Sequence, residues 1–228
     1  MIQVNHMRAI VLKDMKDTLR NIQVLILFFV FPIIGFVMTQ SMNEQSVFFI
    51  SIFATMHIVF TPMVVTASMI AEEKEKNTLR VLRMSGITSV EFFVSTALFV
   101  LMLDGISSLP FLVMGSKNEM NFGLFFSAVV VSGVISIVIG MCIGIYSKSA
   151  SAANGLAVPV GMIFAFIPML SGFNEALGRV SKYLYGQQMS FLISGKPWST
   201  EAIVICIVNF ILIVTLYIVL FEKSKKVS

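Results

Sequence analysis

The sequence predicts an all-helical integral membrane protein: one domain over residues 1–228 with six transmembrane helices. Three observations carry this reading. Apolar residues make up 57% of the chain, enough for about six spans of roughly 20 residues each. Charged residues make up 12%, about half the share of an ordinary soluble domain. The charges also fall between long apolar runs, and the widest gap between runs is about 30 residues. A soluble chain of this length lacks the interior to hide so much hydrocarbon.

Residues 1–22 come first. Arg8, Lys13, Lys16 and Arg20 fall on one side, while Met7, Ile10, Val11, Met15, Leu19 and Ile22 recur at steps of three and four. That spacing predicts an amphipathic helix lying in the membrane interface against lipid. The spans follow at about 23–39, 47–70, 92–114, 122–146, 152–170 and 201–221. Pro32 and Pro159 interrupt the first and fifth, which a membrane helix tolerates when neighbours re-satisfy the backbone. No Ala-x-Ala-like site follows the first run, so it reads as a span and not as a cleaved signal. In the fourth span Ser132, Ser136, Gly140 and Gly144 stand at steps of four, and small residues at that spacing allow close helix approach.

Orientation follows from the basic residues. With the N-terminus inside, the inner segments hold Arg8, Lys13, Lys16, Arg20, Lys74, Lys76, Arg80, Arg83, Lys148, Lys223, Lys225 and Lys226. The outer segments hold Lys117, Arg179, Lys182 and Lys196. This asymmetry predicts a plasma-membrane protein with both termini in the cytoplasm. The net charge of +4 is thereby accounted for without a nucleic-acid partner. Trp198 at the outer end of the sixth span fits an aromatic belt.

Several chemistries find no motif. Cys142 and Cys206 sit inside apolar runs without zinc or disulfide spacing, and no metal site is expected. There is no His-Glu-x-x-His and no Gly-x-Ser-x-Gly. Glu72-Glu73 begins like the Glu-Glu-x-x-x-Arg of intramembrane CAAX-type proteases, but Asn77 stands where the arginine belongs. No phosphate-binding Gly-x-x-x-x-Gly-Lys-Ser/Thr exists. The chain is therefore expected not to be an enzyme and to carry no cofactor, and ATP-driven work would need an ATPase on another chain.

The most charged stretch, residues 71–91, lies between the second and third spans on the inner side. Asn77 or Thr78 can N-cap a short helix, Leu79, Leu82 and Val81 give it an apolar side, and Gly86 suits a left-handed stop. Thr88-x-x-Glu91 then reads as the capping box that starts the third span. A two-turn helix clamped in this way can transmit force from a docked partner.

Glu-x-Glu-Lys-x-Thr-Leu-x-x-Leu, followed by Ile-Thr-x-x-Glu-Phe, resembles the inner loop of ABC-2 type transporter permeases. The six-span plan, the N-terminal amphipathic helix and the long 171–200 segment are similar to that family too. Two positions depart from its pattern: Asn77 stands where Gly is frequent, and Thr96 where a basic residue is frequent. The resemblance implies that this loop is a coupling helix. Glu73, Thr78, Leu79, Arg80, Leu82 and Arg83 would then contact a cytoplasmic ABC ATPase subunit, which holds the ATP and Mg. It also implies a dimer with a second permease copy or homologue. Within 171–200, Phe173, Leu177, Val180, Leu184 and Phe191 keep helical spacing, with Gly186 and Gly195 as breaks. Pro is frequent in the family near the position of Gly186. The implied elements are short helices in the outer leaflet, and the plainer reading is an interfacial loop anchored by Tyr183 and Tyr185.

The expected function is export of amphipathic or hydrophobic cargo. The 21 Phe and 16 Met offer adaptable apolar surface, and the chain is similar in style to small permeases that export toxic or antimicrobial peptides. The alternative is a secondary transporter or channel, which needs intramembrane polar groups. At a rise of about 1.5 Å per residue, His57, Asp104 and Asn209 fall at similar depth. Two readings follow: a His57–Asp104 pair, direct or through water, within a polar layer, or a protonated Asp104 satisfied by its own helix, where Ser107 and Ser108 follow, or by separate partners.

Overall fold

The computed structural model describes residues 4–41, 46–115 and 120–225, so Lys117 and Lys226 lie outside the described residues. Helix accounts for every regular element among them: α1 (Val4–Arg20), α2 (Ile22–Ser41), α3 (Ser46–Glu75), α4 (Thr78–Met84), α5 (Ser89–Gly115), α6 (Phe122–Tyr146), α7 (Ala150–Leu170), α8 (Glu175–Ser181), α9 (Tyr185–Ile193) and α10 (Thr200–Lys225). Five of these, α2, α3, α5, α6 and α7, are long and apolar enough to cross a membrane by length and composition. The sixth expected span falls on α10, whose described apolar stretch, Thr200–Leu216, is shorter.

α3 is the central helix. It is buried along most of its length and packs against α2, α5, α6, α7 and α9. Its closest neighbour is α6, and the small residues at steps of four explain why. The Gly140 and Gly144 α-carbons face backbone of Met63 and Ala67. Ser132 Oγ donates to the Ile58 carbonyl at 2.7 Å. The outer faces are apolar: Phe29, Ile33 and Phe36 on α2, Met102, Ile106 and Val113 on α5, and Ile207, Ile211 and Leu212 on α10 are each more than half exposed. Such a surface belongs against lipid.

The helices alternate, so the molecule has two ends. One end gathers α1, α4, the end of α3, the start of α5, the end of α6 and the start of α7. The other gathers the start of α3, the start of α6, α8, α9 and the start of α10. Arg8, Lys13, Lys16, Arg20, Lys74, Lys76, Arg80 and Lys148 lie at the first end, and Arg179, Lys182 and Lys196 at the second.

α3 runs five residues past its expected limit, and its charged end has work to do there. Lys74 Nζ donates to the Ile145 and Ser147 carbonyls, at 2.7 and 3.0 Å, where the last carbonyls of α6 lack helical partners. Glu75 Oε2 accepts the Ala150 N–H at 2.9 Å, at the positive end of α7. The alternating charges at the end of α3 therefore cap two neighbouring helices.

α1 has its polar side turned inward. Asp14 and Thr18 are buried with Ile10, while Leu12, Met15 and Leu19 are exposed beside Arg8, Lys16 and Arg20. An exposed apolar strip flanked by cations matches an interfacial helix. Asn21 turns the chain into α2, its side chain accepting the N–H groups of Gln23 and Val24.

The 171–200 segment corrects two expectations. Gly186 is not a break: it lies in the first turn of α9, and the Phe164 carbonyl presses on its α-carbon, leaving no room for a side chain. The chain bends instead at 182–184, between α8 and α9, and stops at Gly195, whose φ is +86°. Tyr185 is not an interfacial anchor. It is fully buried, and its hydroxyl lies 2.8 Å from Ser136 Oγ of α6. α9 thus enters the bundle, whereas Phe173, Val180 and Tyr183 before it stay exposed.

Candidate functional site

Two constellations and one cavity stand out. The first is α4, held between the ends of α3 and α5. Asn77 precedes it with φ +56°, the one non-glycine residue with positive φ among those described. Asparagine is one of the few residues that tolerate this conformation, which accounts for Asn77 where a Gly is frequent in the resembling family. Its carbonyl accepts the Arg80 N–H at 3.1 Å, opening the helix. Gly86, at φ +83°, ends it, with the Ile87 N–H returning to the Leu82 carbonyl at 3.1 Å. The expected capping box is present: Thr88 N–H and Oγ1–H both reach Glu91 Oε2, at 2.8 and 2.9 Å, and Glu91 N–H returns to Thr88 Oγ1 at 3.2 Å.

The helix is turned differently from the expectation. Leu79 and Leu82 do not face outward; with Ile87 they pack on Ile10, Ile70 and Phe92. Partial burial of those side chains is what fixes so short a helix to the bundle. The outward surface consists of Arg80, Val81 and Met84, with Val81 59% and Met84 81% exposed. Thr78 is half-buried at the helix start, and the Arg83 side chain lies outside the described residues. Glu73 also turns inward, where it pairs with Lys13 of α1.

That pairing belongs to a polar seam joining α1 to α3 and α5. Lys13 also bonds Asp17, at 3.0 Å. Thr96 Oγ1 donates to Asp14 Oδ2 at 2.9 Å, so Thr96, where a basic residue is frequent in the family, partners a buried acid. His6 Nδ1 lies 3.5 Å from Glu91 Oε2. Burial pushes the Asp14 carboxyl up from 3.8 to about 6, against the downward pull of the Thr96 bond and the Lys13 charge.

The second constellation is intramembrane. His57 and Asp104 are both fully buried, and His57 Nε2 lies 3.5 Å from Asp104 Oδ1. The same nitrogen is 2.8 Å from Ser107 Oγ, which in turn donates to the Asp104 carbonyl at 3.1 Å. Nδ1 is 3.3 Å from Thr61 Oγ1. The rings of Phe28, Phe31 and Phe111 surround the imidazole, with centroids 5.8–6.5 Å away. Neither Asp104 carboxyl oxygen has a hydrogen-bond partner among the described residues, and the imidazole stands 3.5 Å from Oδ1. Asn209 does not join this layer. Its Nδ2 donates to the Tyr183 and Ile205 carbonyls, both at 2.9 Å, because α10 packs on α6 and α9.

The cavity, of about 570 Å³, opens at the far end between the start of α3, the end of α7 and α9. Sequence reasoning missed it, because it depends on α9 entering the bundle. Gln187, Ser190 and Ser194 at steps of three and four were the available signal. Among the described residues no group of three or more His, Cys, Asp and Glu is placed to hold a metal ion. No protein-family model matches the chain, and no curated protein matches it in sequence.

Proposed function

We propose that the chain is the membrane-spanning permease subunit of an ATP-binding-cassette exporter of the ABC-2 type. The observation that carries this reading is the build of α4. A two-turn helix is pinned by a left-handed Asn77, a Gly86 stop, a capping box and the packing of half-buried Leu79 and Leu82. It leaves an exposed basic and apolar surface of Arg80, Val81 and Met84. A rigid, outward-facing element wedged between two long helices is what a motor protein needs to push on. In this reading α10 is the sixth span, the α1–α4 end faces the cytoplasm, as the basic residues gathered there favour, and both termini are cytoplasmic.

The ATPase subunit, with its ATP and Mg, docks on α4. A second permease copy or homologue completes the pathway, and closure of the ATPases rocks α3 against α5. The cargo is amphipathic or hydrophobic, a toxic or antimicrobial peptide or a drug. Co-purification tests the reading. The intact chain brings down an ATPase, and Val81→Asp with Met84→Asp releases it while the spans stay folded. A chain that purifies alone and still moves cargo contradicts it. That outcome would favour the second reading, a secondary transporter, for which the one specific observation is the buried His57–Asp104 approach of 3.5 Å.

A further inference from the structure

The cavity at the α8–α9 end has a chemistry of its own. Gln187, Ser190, Phe191 and Ser194 recur at steps of three and four, so one face of α9 forms its wall. Seven residues at about 1.5 Å each make that wall roughly 10 Å long. At its inner end Gln187 is 6% exposed, and its carbonyl accepts Ser171 Oγ–H at 2.9 Å. Its amide nitrogen has no hydrogen-bond partner among the described residues, although it belongs to a side chain lining the cavity. The cavity leaves that nitrogen open to water or to an acceptor on a ligand.

At the outer end Lys196 follows the Gly195 turn. Its Nζ lies 4.3 Å from the centre of the Phe191 ring and has no carboxylate partner among the described residues. Between the two ends the serines satisfy one another: Ser51 Oγ is 2.9 Å from Ser194 Oγ, which donates to the Ser190 carbonyl at 2.8 Å. The facing wall is apolar, with Phe48, Ile52 and Met169, and no Asp or Glu lines the cavity.

The polar groups left without a hydrogen bond from the protein are thus donors, an amide at the inner end and a cation at the outer end; serines lie between them, and the facing wall is hydrocarbon. A cationic ligand would find no counter-charge here. An anionic oxygen at Lys196 gains a charge-assisted bond, a carbonyl can meet Gln187, and an alkyl segment can lie on Phe48, Ile52 and Met169. The volume is in the range of sites for small organic ligands.

We propose that this cavity binds a small amphiphile, its oxyanion head at Lys196 and its apolar segment against Phe48, Ile52 and Met169. The head is a carboxylate or a phosphate, two groups with the same acceptor chemistry. Describing this ligand as cargo rests on the permease reading, but the binding does not.

The test uses the full chain in phosphatidylcholine nanodiscs without any ATPase. Decanoate, decyl phosphate, decyltrimethylammonium and decyl maltoside are titrated while the fluorescence of Trp198, the single tryptophan, is followed. Its indole donates to Ser127 at 3.1 Å, at this same end of the molecule. The two anions should bind about tenfold or more tighter than the cation, and the tighter of the two identifies the head group. Lys196→Gln, at an exposed position, should bring that ratio to about one and leave maltoside binding unchanged. Ser194→Leu should weaken all four by filling the cavity. Equal affinity for anion and cation, an unchanged ratio in Lys196→Gln, or no binding at all overturns the proposal. Failure of ATPase docking would leave this result standing, and loss of the charge preference would leave the docking standing.

Discussion

Gly140→Ala places one methyl group where α6 meets α3. A β-carbon there would lie 2.5 Å from the Met63 carbonyl oxygen, 2.9 Å from Thr66 Cβ and 3.2 Å from the Ala67 nitrogen. Ordinary contact begins at about 3.4 Å, so the two helices must separate by roughly 0.9 Å along their closest line. Two of the three obstacles are backbone and cannot rotate away. Overpacking of this kind costs about 1–3 kcal/mol, and the backbone obstacles put this case at the upper end. Removing a helical glycine returns about 0.5–1 kcal/mol, leaving a net loss of about 2 kcal/mol. For a domain of this size that lowers Tm by about 4–8 °C. Gly105→Ala on α5 is the control, since nothing lies within 4 Å of its β-carbon; its Tm should stay level or rise by about 1–3 °C. Thermal unfolding of both variants in one detergent decides the matter. A Gly140→Ala protein as stable as the parent, or a Gly105→Ala protein that falls equally, would refute the packing argument.

Three further outcomes follow from the same geometry. Asn77→Gly should leave stability within about 0.5 kcal/mol, whereas Asn77→Val should cost about 1–2 kcal/mol because a β-branched residue resists positive φ; chemical denaturation of both measures the difference. Asp14 is bound with its pKa raised to about 6, so the folded state holds its proton more tightly than the unfolded chain. Its contribution is greatest below pH 3.8 and is lost as pH rises to about 6, a span of ~2–3 kcal/mol. Asp14→Asn should remove that part of the pH dependence and raise Tm at pH 7.5, read from melts between pH 4 and 8. For the His57–Asp104 contact, a double-mutant cycle with His57→Gln and Asp104→Asn should show about 0.5–2 kcal/mol of coupling; additivity within about 0.3 kcal/mol would mean that the two groups act separately.

The helices were legible because long apolar runs bounded by charges leave little freedom. Predicted and observed limits of the fourth span agree, and the others differ by a few residues, most at the charged end of α3. The capping signals of α4 were equally readable, since Gly86 and Thr88-x-x-Glu91 act within a few residues of themselves. What sequence could not supply was the rotation of each element about its own axis. Leu79 and Leu82 formed an apolar side on paper, but whether that side meets a partner or the bundle depends on Ile10, Ile70 and Phe92 from three other helices. Asn209 matched His57 and Asp104 in depth, yet depth is one coordinate of three, and α10 packs chiefly on α6 and α9. Tyr185 looked like an interfacial aromatic because its partner, Ser136, lies 49 residues away. The inward polar side of α1 was hidden for the same reason: its Asp14 is matched by Thr96, far along the chain.

The central claim, that α4 presents a docking surface to an ATPase, is tested most directly by site-specific photocrosslinking in intact cells. A photoreactive residue at Met84, 81% exposed on α4, should capture a protein whose mass-spectrometric sequence contains a Gly-x-x-x-x-Gly-Lys-Ser/Thr loop. The same residue at Phe173, 71% exposed at the opposite end, should not. Capture of the ATPase from Phe173, or none from Met84 while the chain is still active, would contradict the account.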